Sequence, residues 1–479
     1  MSAVELKPTL DDVTPTAPRL FGTDGIRLVV GQEMTPVFVA EVASALGTYL
    51  HGSGEVLVAR DFRTSSEAMA RIVAGSLLMH GVSVREMGPM PTPCLQFNIR
   101  ALRASMGVTV TASHNPTEFN GIKFTGPEGI EIPRDAERSI ERSIYEHQFA
   151  PSQWDHVGAL HTDAEGVRRY LDSILHHTDV AAIRAASPLV VLDPGNGTSA
   201  VTSPTLLREL GCRLITLNAN PDGYFPGRPS EPTEENLWAL RKSVVDLGAQ
   251  VGIAHDGDSD RVAFVDEKGR YLPGDVTLAL FAKSRLEDHP DATIVTSITS
   301  STLVEDVVKS AGGRVEITRS GSLPVATGVL QTGAIFGGEE NGGYYWPEHQ
   351  VARDGPMSSA KMIELLVRSG RPLSQLVDEL PKYHVAKTKT PLPRLLRSGV
   401  VERTRHALEG EADRLVTIDG VKAFYPDGWL LVRPSGTEPI CRVYAEGRDA
   451  ARAKGLMDHG VELVRTFVDE LGDELRELS

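Results

Sequence analysis

One unit recurs three times along this chain: a short apolar strand, a polar or glycine-rich turn, a helix, a glycine and a second strand. It first runs from Val56 to Arg60, through the turn Asp61 to Ser66 and the helix Glu67 to His80, to Gly81 and a strand opening at Val82. It returns as the strand Leu189 to Asp193, the turn Pro194 to Ser199, the helix Val201 to Leu210, Gly211 and the strand Cys212 to Leu217. The third copy is Thr293 to Ser297, Thr299 to Ser301, Leu303 to Ala311, Gly312-Gly313 and Arg314 to Thr318. Strands joined through helices require crossover connections. The chain is therefore constrained to three α/β domains of one topology, repeated in pattern and not in matching letters. From Lys382 the texture changes to a helix near Gly399 to Leu408, a strand Val421 to Tyr425, the turn signal Asp427-Gly428 and a strand Trp429 to Arg433. That predicts a C-terminal α+β domain with an antiparallel hairpin, closed by a helix Ala450 to Leu471 with a solvated or frayed charged end.

Four domains suit a chain of 479 residues, which is too long for one hydrophobic core. The expected divisions are a Pro- and Thr-rich lead-in 1–20, then 21–163, 164–268, 269–383 and 384–479. A net charge of −15 argues against a nucleic-acid partner, because neutralising a duplex needs a basic face; a local basic pocket for a small anion stays open. No apolar run reaches membrane-spanning length, and the start lacks a basic segment followed by an apolar one, so no membrane is expected. Cys94, Cys212 and Cys441 fit neither a disulfide framework nor zinc spacing, which suits the cytoplasm. There is no Walker A loop and no strand-linked GxGxxG, so nucleotide binding has no support.

Four stretches carry chemistry. Thr111-Ala-Ser113-His114-Asn115-Pro116 follows a strand, Ser105 to Val110, and sets a hydroxyl, an imidazole and an amide side by side, with Pro116 keeping Asn115 out of helix. Ser113 is a candidate nucleophile there, or else simply a turn cap. The turn signal Asn120-Gly121-Ile-Lys123 is expected to bring a basic side chain back to it. His255-Asp256-Gly-Asp258-Ser-Asp260-Arg261 places three carboxylates at alternate positions, which repel one another unless a cation sits between them. All-oxygen ligation suits Mg²⁺ completed by a phosphate, and a strand directly after the loop excludes an EF-hand; the alternative is a solvated acidic turn. Arg433-Pro-Ser435-Gly436-Thr437-Glu-Pro439 joins a guanidinium to two hydroxyls and a glycine, a nest for a terminal phosphate with Arg433 or Arg442 supplying charge, or else an ordinary hairpin loop. Gly337-Gly-Glu339-Glu340-Asn341-Gly-Gly343 offers acceptors to vicinal sugar hydroxyls, or is a flexible surface loop. The Tyr344-Tyr-Trp346 run after it is either core or a sugar platform. Phe21-Gly-Thr-Asp-Gly-Ile-Arg27 reads as a glycine-punctuated turn that places Arg27 between strand and helix.

With these motifs in order, the chain resembles the α-D-phosphohexomutase family from Phe21 to Gly447. The resemblance implies four domains around one central cleft, Ser113 carried as phosphoserine, and Mg²⁺ held by the phosphoserine with Asp256, Asp258 and Asp260. It implies transfer of that phosphoryl group to a hexose phosphate, reorientation of the hexose bisphosphate, and return of the other phosphate to Ser113. Arg27, His114, Lys123 and Arg261 would neutralise charge or move protons, with His114 and Lys123 unranked as acid and base. Glu339, Glu340 and Asn341 would hold the sugar; Arg433, Ser435, Gly436, Thr437 and Arg442 would hold its phosphate. Asn341 and Gly343 replace the serine and histidine of many members, and Leu28 replaces a glycine, so the substrate is less defined than the reaction; glucosamine phosphate is favoured, with mannose or glucose phosphate as alternatives. His349 is a possible stand-in for the missing histidine. A metal-dependent phosphatase and a non-catalytic sugar-phosphate sensor also use such residues, and both a monomer and a homo-oligomer fit the sequence. A hinge near Lys382 to Lys389 is expected to let the C-terminal domain close over substrate.

Overall fold

The computed structural model describes residues 19–22, 24–436 and 438–477; most of the expected lead-in and Thr437 lie outside them. Each of the three recurring units builds a sheet of the same order. In the first, Ser83–Pro89, Glu55–Arg60 and Met106–Val110 run parallel, and Phe119–Thr125 and then Ile26–Val29 follow antiparallel. The short strand Leu160–Thr162 adds beyond Ser83–Pro89. The second sheet is Arg213–Thr216, Leu189–Asp193, Val251–His255, Val262–Asp266 and Tyr271–Leu272. The third is Arg314–Thr318, Thr293–Ser297, Phe336–Gly338, Tyr344–Trp346 and Gln350–Arg353. The fourth is wholly antiparallel, with His384–Pro391 at one edge and Arg414–Val416 at the other.

This equivalence sets the site. In each α/β domain the third parallel strand ends in a loop that turns back into the first antiparallel strand, and those three loops are the serine, acidic and sugar-loop motifs. Ligands of open α/β sheets gather beyond the carboxyl ends of parallel strands. The three domains also share one apolar core, in which Leu95 and Ile99 of the first, Tyr170 and Leu206 of the second and Phe281, Phe336 and Trp346 of the third belong to a single buried cluster. Helix ends follow local chemistry. Asp354 caps Gly355–Ser369 by accepting the Met357 amide at 2.8 Å, and Gly370 ends that helix with φ +62°.

Several expectations change. Ile26–Val29 is an edge strand, so Arg27 lies on the sheet opposite Gly121; the glycines around it had disguised the pairing. Asn120 to Lys123 is likewise strand and not turn, because Asn120 Oδ1 bonds forward to the Gly121 amide and its amide group is used by Ser65 and Ser66. Tyr344–Trp346 is fully buried core. His384–Pro391 pairs along its length with Ile440–Gly447, which leaves only Lys382 and Tyr383 of the expected hinge outside a strand. The closing helix runs on to Glu477, its outer turns exposed. The three cysteines are buried free thiols, and among the described residues no helix is long and apolar enough to cross a membrane.

Candidate functional site

Ser113 sits in the left-handed region at φ 51°, a conformation that costs a β-carbon-bearing residue about 1–2 kcal/mol and so has to be held in place. Arg63 does the holding. Its guanidinium donates to the carbonyls of Ser113 (3.0 Å), Asn115 (2.6 Å), Pro116 (2.6 Å) and Phe119 (2.9 Å), while Asp61 anchors its Nε at 3.2 Å. The Ser113 amide donates to Thr111 Oγ1 at 2.9 Å. The loop thus presents the Ser113 hydroxyl to the second domain, where it donates to Asp256 Oδ2 at 2.9 Å; His114 Nδ1 lies 3.2 Å from the same oxygen. Gly257 permits the approach, since a Cβ there would stand 2.4 Å from the Ser113 carbonyl oxygen.

Asp256, Asp258 and Asp260 are all buried, with one oxygen from each lying within 4.8 Å of the others. Asp258 Oδ2 accepts from Thr92 (2.6 Å) and Lys123 (2.8 Å), and Asp260 Oδ2 accepts from Arg353 (2.6 Å). Their other oxygens, Asp258 Oδ1 and Asp260 Oδ1, are buried with no hydrogen-bond partner. Orphaned carboxylate oxygens are costly in a protein interior. Burial, with Asp260 and Asp258 as neighbours, pushes the Asp256 carboxyl well above the ordinary range. A divalent cation coordinated by these oxygens would relieve both conditions, so the residues fit a metal ion.

Lys123, expected to return to the serine, bonds carboxylates of the cluster that receives the Ser113 hydroxyl. It lies 2.6, 2.8 and 3.5 Å from Asp24, Asp258 and Asp260, because its strand runs beside the acidic loop. Burial opposes its charge, but those three carboxylates outweigh burial and raise its pKa, fixing it as a cation. His114 is the reverse case: burial first, then Arg261 and Arg27, push it down to about 2, so its imidazole is neutral. Arg27 donates to Asn115 Oδ1 at 3.0 Å and to Asp24 Oδ2 at 3.3 Å. The Arg261 amide donates to Asp256 Oδ1 at 3.1 Å, while its guanidinium lies 3.5 Å from Glu231.

On the sugar loop, Glu339 Oε1 accepts the Gly321 amide at 3.1 Å, and Oε2 is buried without a hydrogen-bond partner, 3.9 Å from the Arg353 guanidinium. Burial lifts this carboxyl to about 6, Arg353 opposing and Glu340 adding to the rise. Glu340 accepts from Thr299 Oγ1 at 2.7 Å, and Asn341 turns back on its own loop to accept the Gly343 amide at 3.0 Å. His349 does not join them. It is stacked on Phe97 with 5.0 Å between ring centroids and lies between Ser173 and Asp354, partners that belong to the packing of three domains. On the C-terminal hairpin Arg433 and Arg442 face each other across strands. Ser435 Oγ accepts the Glu438 amide at 3.2 Å, and Gly436 is exposed at the tip. Asp419 ties this hairpin to the third domain, accepting from Arg433 Nε at 2.6 Å and from the Ser320 amide at 3.1 Å, one residue from the Gly321 that holds Glu339.

Three side chains at this centre stand outside the motifs, Arg63, Thr92 and Arg353, and a fourth, Asp24, is in a quoted stretch without having been singled out. Asp24 lies within the Phe21–Arg27 stretch and is itself a partner of Lys123, Arg27 and Arg353. Burial opposes its charge, but those cations outweigh it and hold its carboxyl at about 2.

Equivalent loops from three α/β domains converging on one buried serine and acidic triplet, with an arginine hairpin from a fourth, are the layout of an intramolecular phosphotransferase. The comparisons agree. The chain matches the descriptions phosphoglucomutase/phosphomannomutase alpha/beta/alpha domain I over 18–151, domain II over 168–269, domain III over 273–383 and the C-terminal domain over 377–462. It is 39% identical to a phosphoglucomutase/phosphomannomutase of Thermococcus kodakarensis, covering 93% of this chain and 98% of that one. Against a phosphoglucosamine/phosphogalactosamine mutase of Sulfurisphaera tokodaii it is 38% identical, over 93% and 99%. A crystal structure of a family protein from Burkholderia thailandensis superposes with a TM-score of 0.82 at 26% identity, over 93% and 98% of the two chains. The chain belongs to the phosphoglucomutase/phosphomannomutase family.

Proposed function

We propose that this protein interconverts hexose 6-phosphate and hexose 1-phosphate through a phosphoserine at Ser113, with glucosamine phosphate as its substrate and Mg²⁺ as its metal. The observation that carries the reading is the Ser113 hydroxyl bonded to Asp256 beside two buried carboxylate oxygens that accept no hydrogen bond. Asp256, Asp258 and Asp260 would hold Mg²⁺, which supplies charge neutralisation to a phosphoryl group on Ser113.

The residues divide the remaining work. In the first transfer a hexose phosphate hydroxyl attacks phosphorus; its O–P bond forms as the P–Oγ bond to Ser113 breaks. The hydroxyl proton needs an acceptor. Lys123 is held as a cation by three carboxylates and stabilises charge instead. Transfer is in line, so the attacking hydroxyl stands opposite Oγ; His114, neutral and 3.2 Å from Oγ, is assigned the leaving side, where the proton the sugar hydroxyl releases is balanced by the one the freed Ser113 oxygen takes up. Glu339, with one oxygen free of hydrogen bonds, and Glu340 accept hydrogen bonds from sugar hydroxyls. Arg433 and Arg442, with Ser435, Gly436 and Thr437, hold the phosphate that is not reacting. After the bisphosphate turns over in the cleft, the second phosphate returns to Ser113 by the same steps in reverse roles.

Glucosamine 6-phosphate, mannose 1-phosphate and glucose 1-phosphate, each supplied with its bisphosphate, test the substrate. Fastest turnover is expected with glucosamine 6-phosphate. Intact-mass measurement is expected to find one added phosphate that Ser113→Ala abolishes; no turnover of any of the three by metal-loaded, phosphorylated protein would refute the mutase reading. Release of free phosphate matching substrate loss would point to a phosphatase. Sugar-phosphate binding with no turnover and no dependence on Ser113 would point to a sensor.

A further inference from the structure

Arg353 belongs to none of the four motifs, yet its guanidinium meets carboxylates from all three α/β domains. Its Nη2 lies 3.1 Å from Asp24 Oδ2 in the first domain and 2.6 Å from Asp260 Oδ2 in the second. Glu131 and Glu339 stand 4.0 and 3.9 Å from the same guanidinium. Room for the side chain comes from Gly343: a Cβ built there would meet Arg353 Cδ at 2.4 Å and Cγ at 2.9 Å. Arg353 ends the strand paired with Tyr344–Trp346, so its stem lies back over the glycine at the foot of the sugar loop. The two oxygens of Asp260 then have different fates. Oδ2 is taken by Arg353 and, at 3.5 Å, by Lys123; Oδ1 is buried without a hydrogen-bond partner, 4.0 Å from Arg261 Nε.

We propose that Arg353 is a positioning residue: seated over Gly343, it holds Asp260 by one oxygen so that the other is presented to the metal, and locks that loop to Asp24. The inference rests on the metal-assisted reading above. Partners behind a metal ligand fix its orientation, and their loss weakens metal affinity or activity by about 10–100-fold. Two substitutions reach the contact from opposite sides. Arg353→Lys keeps the charge but has no planar fork to span two carboxylates. Gly343→Ala keeps the arginine but puts a methyl group where its stem lies, at a backbone position that is not left-handed.

The test is calorimetric titration of the unphosphorylated, full-length protein with Mn²⁺, with steady-state kinetics alongside. Each single variant is expected to bind Mn²⁺ about ten-fold more weakly, and the double variant no more weakly than the worse single, since both changes remove one contact. In the kinetics, kcat should fall and be partly restored at saturating Mn²⁺. Weaker Mn²⁺ binding by the variants supports the inference whether or not the wild type turns over a hexose phosphate. Wild-type affinity in both single variants overturns it, as do fully additive effects. If Arg353→Lys does not fold, Gly343→Ala decides alone. A wild-type protein that binds no Mn²⁺ overturns the inference together with the metal reading.

Discussion

At the level of single residues, a buried guanidinium and a buried carboxyl do work that no nearby group can take over. Arg63 meets four carbonyls of the serine loop and the Asp61 carboxylate at once, which needs the donors of a planar fork. Lysine has three donors on one atom. Arg63→Lys is therefore expected to loosen the strained Ser113 conformation and lower kcat about 100-fold, the cost of a small misplacement of reacting groups. Steady-state kinetics check this, and a kcat within two-fold of wild type would mean the loop keeps its shape without the fork. For Glu339 the sign follows from its raised pKa of about 6. As an acceptor of hydrogen bonds from sugar hydroxyls it must be ionised, which it is above that value and not below. KM for the hexose phosphate is expected to rise as pH falls through 6. Glu339→Gln should show no such limb and a KM raised at every pH; a limb that survives the substitution would assign it to another group.

At the level of elements, the serine and acidic loops approach as closely as Gly257 allows. Gly257→Ala places a methyl group 2.4 Å from the Ser113 carbonyl oxygen, so one loop must move away from the other. Expected is a fall in kcat of about 100-fold with the fold retained, read by kinetics and circular dichroism together. Unchanged kcat would show that the Ser113–Asp256 contact has slack. The same loops explain what a reader of the sequence can and cannot see. The three α/β units were legible because strand, turn and helix are local patterns, and the acidic triplet because three like charges at alternate positions need a reason. Edge pairing was harder. Ile26–Val29 finds its partner at Phe119–Thr125, and Gly25 just before the one and Gly121 within the other look like turns until the strands are laid side by side. Arg353 was illegible for a related reason: its partners are 329 and 93 residues away, and a single arginine carries no period. Arg63, in a turn, and Thr92, at the start of the helix Thr92–Leu102, likewise sit in unremarkable places whose meaning is the loop of another strand or domain.

For the whole molecule, the seam between the third and fourth domains decides where the phosphate hairpin stands. Lys422 lies at its centre, donating to the carbonyls of Ile298 (2.8 Å) and Ser300 (3.0 Å) and lying 3.9 Å from the Trp429 ring centroid. Ile298, Trp429 and Leu431 form the apolar cluster around it, and Glu446 accepts from both Trp429 Nε1 (2.9 Å) and the Thr302 amide (3.1 Å). Burial pushes the Lys422 ammonium down to about 8, against the raising influence of Glu446, Glu305, Asp275 and Glu340. In the unfolded chain a lysine titrates near 10.4. Between these values the unfolded state binds more protons than the folded one, so docking of the C-terminal domain strengthens as pH rises from about 8 to about 10, by on the order of 3 kcal/mol. Below 8 both states are protonated and the gain is absent. Lys422→Met is expected to abolish that rise, and to weaken docking above pH 8 because the Ile298 and Ser300 carbonyls lose their donor. Urea midpoints of the C-terminal domain at pH 7.5 and 9.5, followed by Trp429 fluorescence with the other three tryptophans replaced, check both parts. A midpoint that still climbs with pH in Lys422→Met would place the titrating group elsewhere, and a midpoint flat in the wild type would mean that Lys422 keeps its proton at the seam.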